Sequence, residues 1–173
     1  MLHLNKEELQ KRLEQLDTDA SLLFNDEGRY HVCIAGSGAL ILMDYTSRAT
    51  SDIDVINATG ALVDLFKKYQ MNTHIAAHIN SFLLDYEKRV KLLWSGEKID
   101  FFTVSLEDVV VSKLCAGRPS DLDDLKAVAV FVDWEKLEAL VSDEEESIPI
   151  RMSDRQNLDF EYAYKRYVEE HRP

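Results

Sequence analysis

The sequence predicts an α+β protein, in which a small mixed β-sheet is flanked by helices and followed by a helical C-terminal part. Three observations carry that expectation. Short runs of strand character, Tyr30–Ala35, Asp52–Ile56 and a hairpin over Val90–Trp94 and Lys98–Val104, lie in the first two thirds of the chain. Helical segments with polar caps separate them. Beyond Val104 every periodic segment is helical, so the order reads helix, strand, helix, strand, helix, hairpin, then helices only. The expected domains are a core over 1–132, with its N-terminal helix, and a helical extension over 133–173 packed on that core.

Each element has a local reason. Asn5 and Glu8 form a capping box, and Leu9, Leu13 and Leu16 share one face, which predicts a helix over 5–17 and a loop over 18–29. Tyr30–Ala35, with Val32 and Ile34, reads as a buried strand broken by Gly36-Ser37-Gly38. A short helix is expected over Ala39–Tyr45, a polar connection over Thr46–Ser51, and then a strand in which Asp52 and Asp54 alternate with Ile53 and Val55. Thr59 is a cap for a helix reaching about Tyr69, and residues 70–89 are the least readable, with room for a short strand and a turn or helix. Ser95-Gly96-Glu97 turns the hairpin. Ser105 with Asp108 caps Leu106–Ala116, which Gly117-Arg118-Pro119 ends. Ser120 opens a helix to about Val132, and Asp133 caps another to about Val141. After the acidic break SDEEESIP, Ser153 with Gln156 caps a last helix to about Glu170.

Composition narrows the function classes. The chain has 173 residues, 46% of them hydrophobic, enough for a real core, and 30% charged, which suits a water-facing surface. No apolar run approaches the roughly 20 residues of a membrane span. The opening MLHLNKEELQKRL has neither an apolar stretch nor a small-residue cleavage site, so a cytoplasmic protein is expected. Twenty basic residues against 32 acidic ones give a net charge of -12. That opposes general DNA or RNA affinity, which rests on neutralising phosphates, but is compatible with a local basic groove. Cys33 and Cys115 sit in apolar surroundings and read as small buried hydrophobes of a reducing compartment, and no zinc site is expected.

The segment IAGSGALILMDYTSRATSDIDVI, residues 34–56, carries the chemistry. Residues two apart on a strand point to the same face, so Asp52 and Asp54 would stand side by side. Like charges that close repel, and a bound divalent cation removes the repulsion. Oxygen ligands on a rigid strand suit Mg²⁺, which takes further ligands from water and substrate phosphates. Upstream, Gly36 and Ser37 lie between a strand and a helix. Glycine lets a phosphate approach the backbone, and Ser37 adds a hydroxyl donor. A phosphate cradle ahead of a carboxylate pair is what phosphoryl transfer needs.

These residues resemble the DNA polymerase β-type nucleotidyltransferase superfamily, whose pattern is hG[GS], a helix, then DhDh. More closely, AGSGALILMDYTSRATSDIDV and SLEDVVVSKLCAGRPSDLDDL resemble minimal bacterial nucleotidyltransferases related to AbiEii-type toxins. The likeness covers roughly residues 30–130. It implies a polymerase β-like fold, an NTP substrate and two Mg²⁺ ions held by Asp52 and Asp54. A third carboxylate on a neighbouring strand is implied too, and Asp100 in KIDFF is the candidate; its alternative is an edge-strand aspartate. Lys113 is implied as a phosphate-binding lysine, against a solvated helix lysine. Arg118 either faces phosphates or caps a helix. Asp121 and Asp124 orient Lys113 or Arg118, or complement a helix dipole. Arg48 matches the loop before the D-x-D and joins the expected nucleotide contacts, Thr50 supports the carboxylates, and Arg89 is a weaker match. The turn is Gly-Ser-Gly where many relatives have Gly-Gly, and Ser51 stands where many have Lys.

The implied activity moves a nucleoside monophosphate from an NTP to a hydroxyl, at an RNA or tRNA 3′ end or on a protein side chain. The resemblance also makes the chain a candidate toxin with an antitoxin partner. The alternatives are a catalytically weak nucleotide-binding regulatory module and an acidic protein-interaction domain. His31, His74 and His78 read as surface or hydrogen-bonded residues, and Phe160, Tyr162, Tyr164 and Tyr167 as helix packing.

Overall fold

The computed structural model describes residues 3–56, 60–73, 82–143 and 153–173. The chain divides into two compact units, one made of Met1–Ala77 and Val90–Val104, the other of His78–Arg89 and Ser105–Pro173.

The first unit holds α1 (Lys6–Leu23), β1 (Tyr30–Ala35), α2 (Gly36–Leu42), β2 (Ile53–Ile56), α3 (Val63–Lys68), β3 (Met71–Asn72), β4 (Lys91–Ser95) and β5 (Ile99–Thr103). The strands form one five-stranded mixed sheet in the order β3-β2-β1-β5-β4. β1 pairs antiparallel with β2 and parallel with β5; β2 pairs parallel with β3, and β4 antiparallel with β5. Register puts Val32, Ile34, Ile53, Val55, Ile99 and Phe101 on one face, and all six are fully buried. Their alternation with His31, Asp54, Asp100 and Phe102 sets the half-polar opposite face. α2 packs on β1 and β2, and α1 packs on α2 and α3 through a row containing Leu9, Leu13 and Leu16.

The end of α1 and the start of α2 differ from expectation, each for a physical reason. α1 starts at the expected capping box of Asn5 and Glu8 but runs on to Leu23. Asp17 keeps it going: it is buried, and its carboxylate accepts the backbone N–H groups of Glu97 (2.7 Å), Lys98 (2.8 Å) and Ile99 (2.7 Å) at the hairpin turn. A Cβ built on Gly96 would collide with that carboxylate, so the turn needs glycine. α2 begins at Gly36, because the positive φ of 61° at that glycine turns the chain directly from strand into helix.

Among the described residues the second unit is helical from Leu106 onward, as the fold class predicts for the C-terminal part. It contains a 3₁₀ turn at Tyr86–Arg89, then α4 (Leu106–Ala116), α5 (Pro119–Val128), α6 (Trp134–Ser142) and α7 (Asp154–His171). Ser105, Asp133 and Ser153 cap α4, α6 and α7 as their sequences predict. Gly117 closes α4 in the left-handed conformation, and Pro119 takes the first turn of α5. α5 stops at Val128, and a 3₁₀ turn over Ala129–Phe131 replaces its expected last turn. Phe160 and Tyr167 are the packed aromatics of α7, Tyr167 donating to the Leu125 carbonyl at 3.0 Å, whereas Tyr162 faces solvent. Thr59, His74, His78 and the acidic residues Glu144–Glu146 lie outside the described residues.

Replacing Asp17 by alanine strands three backbone donors at the hairpin turn, at roughly 1–3 kcal/mol for each unsatisfied group that water cannot reach. The expected outcome is a lower urea midpoint at unchanged m-value for Asp17→Ala, corresponding to a loss of at least about 2 kcal/mol in unfolding free energy, in equilibrium unfolding followed by circular dichroism.

Candidate functional site

Asp54, in β2, stands beside the C-terminal end of β1. The antiparallel register opposes it to Ala35, the last residue of β1, so the turn at Gly36 falls against its carboxylate. A Cβ on Gly36 would collide with Asp54 Oδ2, and Gly36 already needs a positive φ. Conformation and space therefore both demand glycine there. On the other flank, β3 places Asn72 opposite Asp54, and the Asn72 amide donates to Asp54 Oδ1 at 2.8 Å. Asp52 sits in the bend that leads into β2, half-buried like Asp54, and accepts the Ser51 hydroxyl at 3.3 Å.

The loop in front of β2 is anchored rather than loose. Thr50 forms a two-bond antiparallel bridge with Leu4, at 2.6 and 3.0 Å, and its hydroxyl donates to the Asp52 carbonyl at 3.2 Å. Thr50 thus braces the backbone at Asp52. Arg48 is exposed one turn earlier, its backbone N–H bonded to the Thr46 hydroxyl. Ser37 is half-buried in the first turn of α2, where no side chain caps the helix.

Asp100 lies elsewhere on the same face of the sheet. It pairs with His31 of β1, whereas Asp54 pairs with Ala35. Four residues of strand separate those levels, about 13 Å at roughly 3.3 Å per residue. The structure therefore does not bring Asp100 beside Asp54. Arg29 holds it instead, with Nε at 3.1 and 3.2 Å and Nη2 at 2.5 Å from the carboxylate, while the remaining guanidinium donors reach the Gly96 and Glu97 carbonyls. His31 Nε2 is 3.5 Å away. The Arg29 hydrogen bonds lower the Asp100 pKa to about 2.

The second unit assembles the other expected residues into a buried ion cluster. Lys113, Asp121 and Asp124 are all almost fully buried, and the ammonium lies 3.0 Å from Asp121 and 2.8 Å from Asp124. Arg118 reaches Asp121 at 2.7 Å from the exposed side. Burial alone would raise the Asp121 pKa, but the Arg118 hydrogen bond and the Lys113 charge outweigh it and the net shift is downward. Asp121 and Asp124 thus pair with Lys113, which is buried rather than solvated, and Asp121 also lies in the first turn of α5. Arg89 makes a two-pronged pair with the fully buried Asp108, at 2.9 and 3.0 Å, and also bonds the Leu84 carbonyl.

Sequence reading missed Asn72, Arg29 and Asp17. Asn72 lies in a strand of two residues, too short for any period to show. Arg29 sits in the loop before β1, with nothing local to mark its partner. Among the described residues no three His, Cys, Asp or Glu side chains gather as a metal cluster. Cys33 is buried and unbridged, and Cys115 is half-buried, with burial raising its pKa to about 12. No helix among the described residues is long and apolar enough to cross a membrane.

The Arg29 pair carries a pH signature. The folded-state pKa of Asp100 lies below the ordinary 3.8, so the pair's contribution is complete above that value and disappears as pH falls through about 2. In acid titrations followed by circular dichroism, Asp100→Asn is expected to lower stability at neutral pH and to flatten the stability curve below about pH 4.

No curated protein and no solved structure matches the chain significantly. A protein-family model does match, over residues 11–172. That span takes in the glycine turn, the Asp52–Asp54 segment, the Lys113 cluster and α4 to α7. The chain belongs to the family described as nucleotidyltransferase of unknown function (DUF6036).

Proposed function

We propose that the protein is a metal-dependent nucleotidyltransferase whose site is built on Asp52, Asp54, Gly36 and Ser37. The observation that carries this reading is the packing of Gly36 against the Asp54 carboxylate. It brings a side-chain-free stretch of backbone to an acidic group, the combination that a phosphate bridged to a carboxylate by a cation requires.

The donor set fits Mg²⁺. That ion is commonly held by one or two carboxylates, with water and substrate phosphates completing its octahedron, so no larger protein cluster is required. Asp52 and Asp54 would hold it, and a bound Mg²⁺ supplies charge neutralisation at the phosphates. Gly36 leaves room for the phosphate chain beside Asp54, and the Ser37 hydroxyl donates to a phosphate oxygen. Thr50 fixes the bend that presents Asp52. In the reaction, an acceptor hydroxyl oxygen bonds the α-phosphorus of an NTP, the bridge to the β-phosphate breaks, pyrophosphate leaves and the hydroxyl proton passes to solvent. The acceptor is a hydroxyl of RNA, such as a tRNA 3′ end, or of a protein, and an antitoxin-type partner is compatible with the same reading.

A nucleotide-binding module with little catalysis is the second reading, favoured by the distance of Asp100 from Asp54 along the sheet. Transfer of α-labelled NTP to total RNA and total protein separates the two. The enzyme is expected to label one acceptor class in Mg²⁺, and Asp52→Asn/Asp54→Asn to lose label at least about 100-fold, as removal of a principal transition-state charge stabiliser does. Metal-dependent NTP binding without label would support the module; indifference of the wild type to both Mg²⁺ and NTP would sink both readings.

Gly36→Ala is a second check. A side chain there costs backbone strain of about 1–3 kcal/mol and displaces the Asp54 carboxylate. Mg²⁺-dependent thermal stabilisation by NTP is expected to disappear in Gly36→Ala while the fold, read by circular dichroism, persists.

A further inference from the structure

Asp54 is flanked by two strands. On one side β1 ends and Gly36 abuts Oδ2; on the other, β3 sets Asn72 opposite Asp54, with its amide 2.8 Å from Oδ1. Strand positions directly opposite each other point to the same face, with Cβ atoms about 5 Å apart. A side chain at residue 72 is therefore within reach of whatever Asp54 binds. This chain puts an amide there, and Asn72 is half-buried, not part of the apolar core.

We propose that Asn72 is a positioning residue of the nucleotidyl-transfer site, orienting the Asp54 carboxylate with a neutral donor at the very position from which a third carboxylate would reach the same cation. The inference rests on Asp52 and Asp54 being the ion's protein ligands. Its consequence is a site with two protein carboxylates, in which substrate phosphates supply a larger share of the coordination. A carboxylate at residue 72 would add repulsion beside Asp54 in the free protein. An amide instead donates to Asp54, restricts its rotation and leaves the local charge at that of the pair. Partners that orient a metal ligand commonly contribute 10- to 100-fold in metal affinity, and each added carboxylate tightens a site for a hard cation.

The test is an electron paramagnetic resonance titration of Mn²⁺ alone into the full chain, with thermal melts in EDTA recorded in parallel. Wild type, Asn72→Ala, Asn72→Ser, Asn72→Asp and Asp52→Asn/Asp54→Asn are compared. Asn72→Ala is expected to weaken Mn²⁺ binding about tenfold or more, beyond any change in its metal-free melting temperature. Asn72→Ser, which keeps a short donor, is expected to recover part of that loss, and Asn72→Asp to bind at least about tenfold tighter than wild type. A merely structural Asn72 would shift the melts and leave Mn²⁺ affinity alone. Wild-type binding that the double aspartate variant abolishes and all Asn72 variants retain unchanged overturns the positioning role and leaves the proposed function standing. Absence of Mn²⁺ binding in both the wild type and Asn72→Asp overturns the proposed function and this inference with it.

Discussion

The antiparallel pairing of β1 with β2 is the constraint from which the site follows. It sets Ala35 opposite Asp54, and because β1 ends at Ala35 the next residue turns across the neighbouring carboxylate. Only a residue without a side chain fits there, and only one tolerant of positive φ can make the turn. A one-residue slip in that register would send Asp54 to the apolar face and Val55 to the polar one. The full burial of Ile53 and Val55 penalises that slip, so core packing is what holds the acidic group in place.

Buried charge elsewhere is handled by saturation. Asp17 receives three backbone N–H groups, Asp108 a two-pronged arginine and the Ser105 hydroxyl, and Lys113 two carboxylates. Each arrangement offsets the desolvation of an ion with several short contacts, which a single partner rarely achieves. They also tie segments distant in sequence: Asp17 joins α1 to the hairpin turn, and Arg29 joins the start of β1 to β5 and that same turn. Removing one member would leave a buried charge or backbone donor with fewer partners, so these clusters specify where the segments meet more than they add net stability.

The family match spans residues 11–172. The matched span contains both the glycine turn and the acidic segment, and those two features come together on the first unit's sheet. The polar cluster on Asp100 has a different character. Arg29 consumes the carboxylate, the pKa falls to about 2, and the pair serves as a brace at the far end of the same face. In the second unit the residues of SLEDVVVSKLCAGRPSDLDDL meet one another, Lys113 with Asp121 and Asp124, Arg118 with Asp121, as an ion network.

By itself the sequence determined what is local. Capping at Asn5, Ser105, Asp133 and Ser153 marked four helix starts, an apolar run marked β1, alternation marked β2 and a turn marked the hairpin, because such signals are written over a few consecutive residues. The same locality made Gly36, Asp52 and Asp54 legible as one motif. What no window could contain was partnership across long separations. The extension of α1 to Leu23 depends on Asp17 meeting a hairpin 80 residues away. The fate of Asp100 depends on Arg29, 71 residues earlier, and β3 is a strand only because β2 offers it an edge. Strand register, not spacing, decided that Asn72 and not Asp100 stands beside Asp54, since hydrogen-bonded pairing sets which residues share a level and is encoded by the packing of the whole sheet.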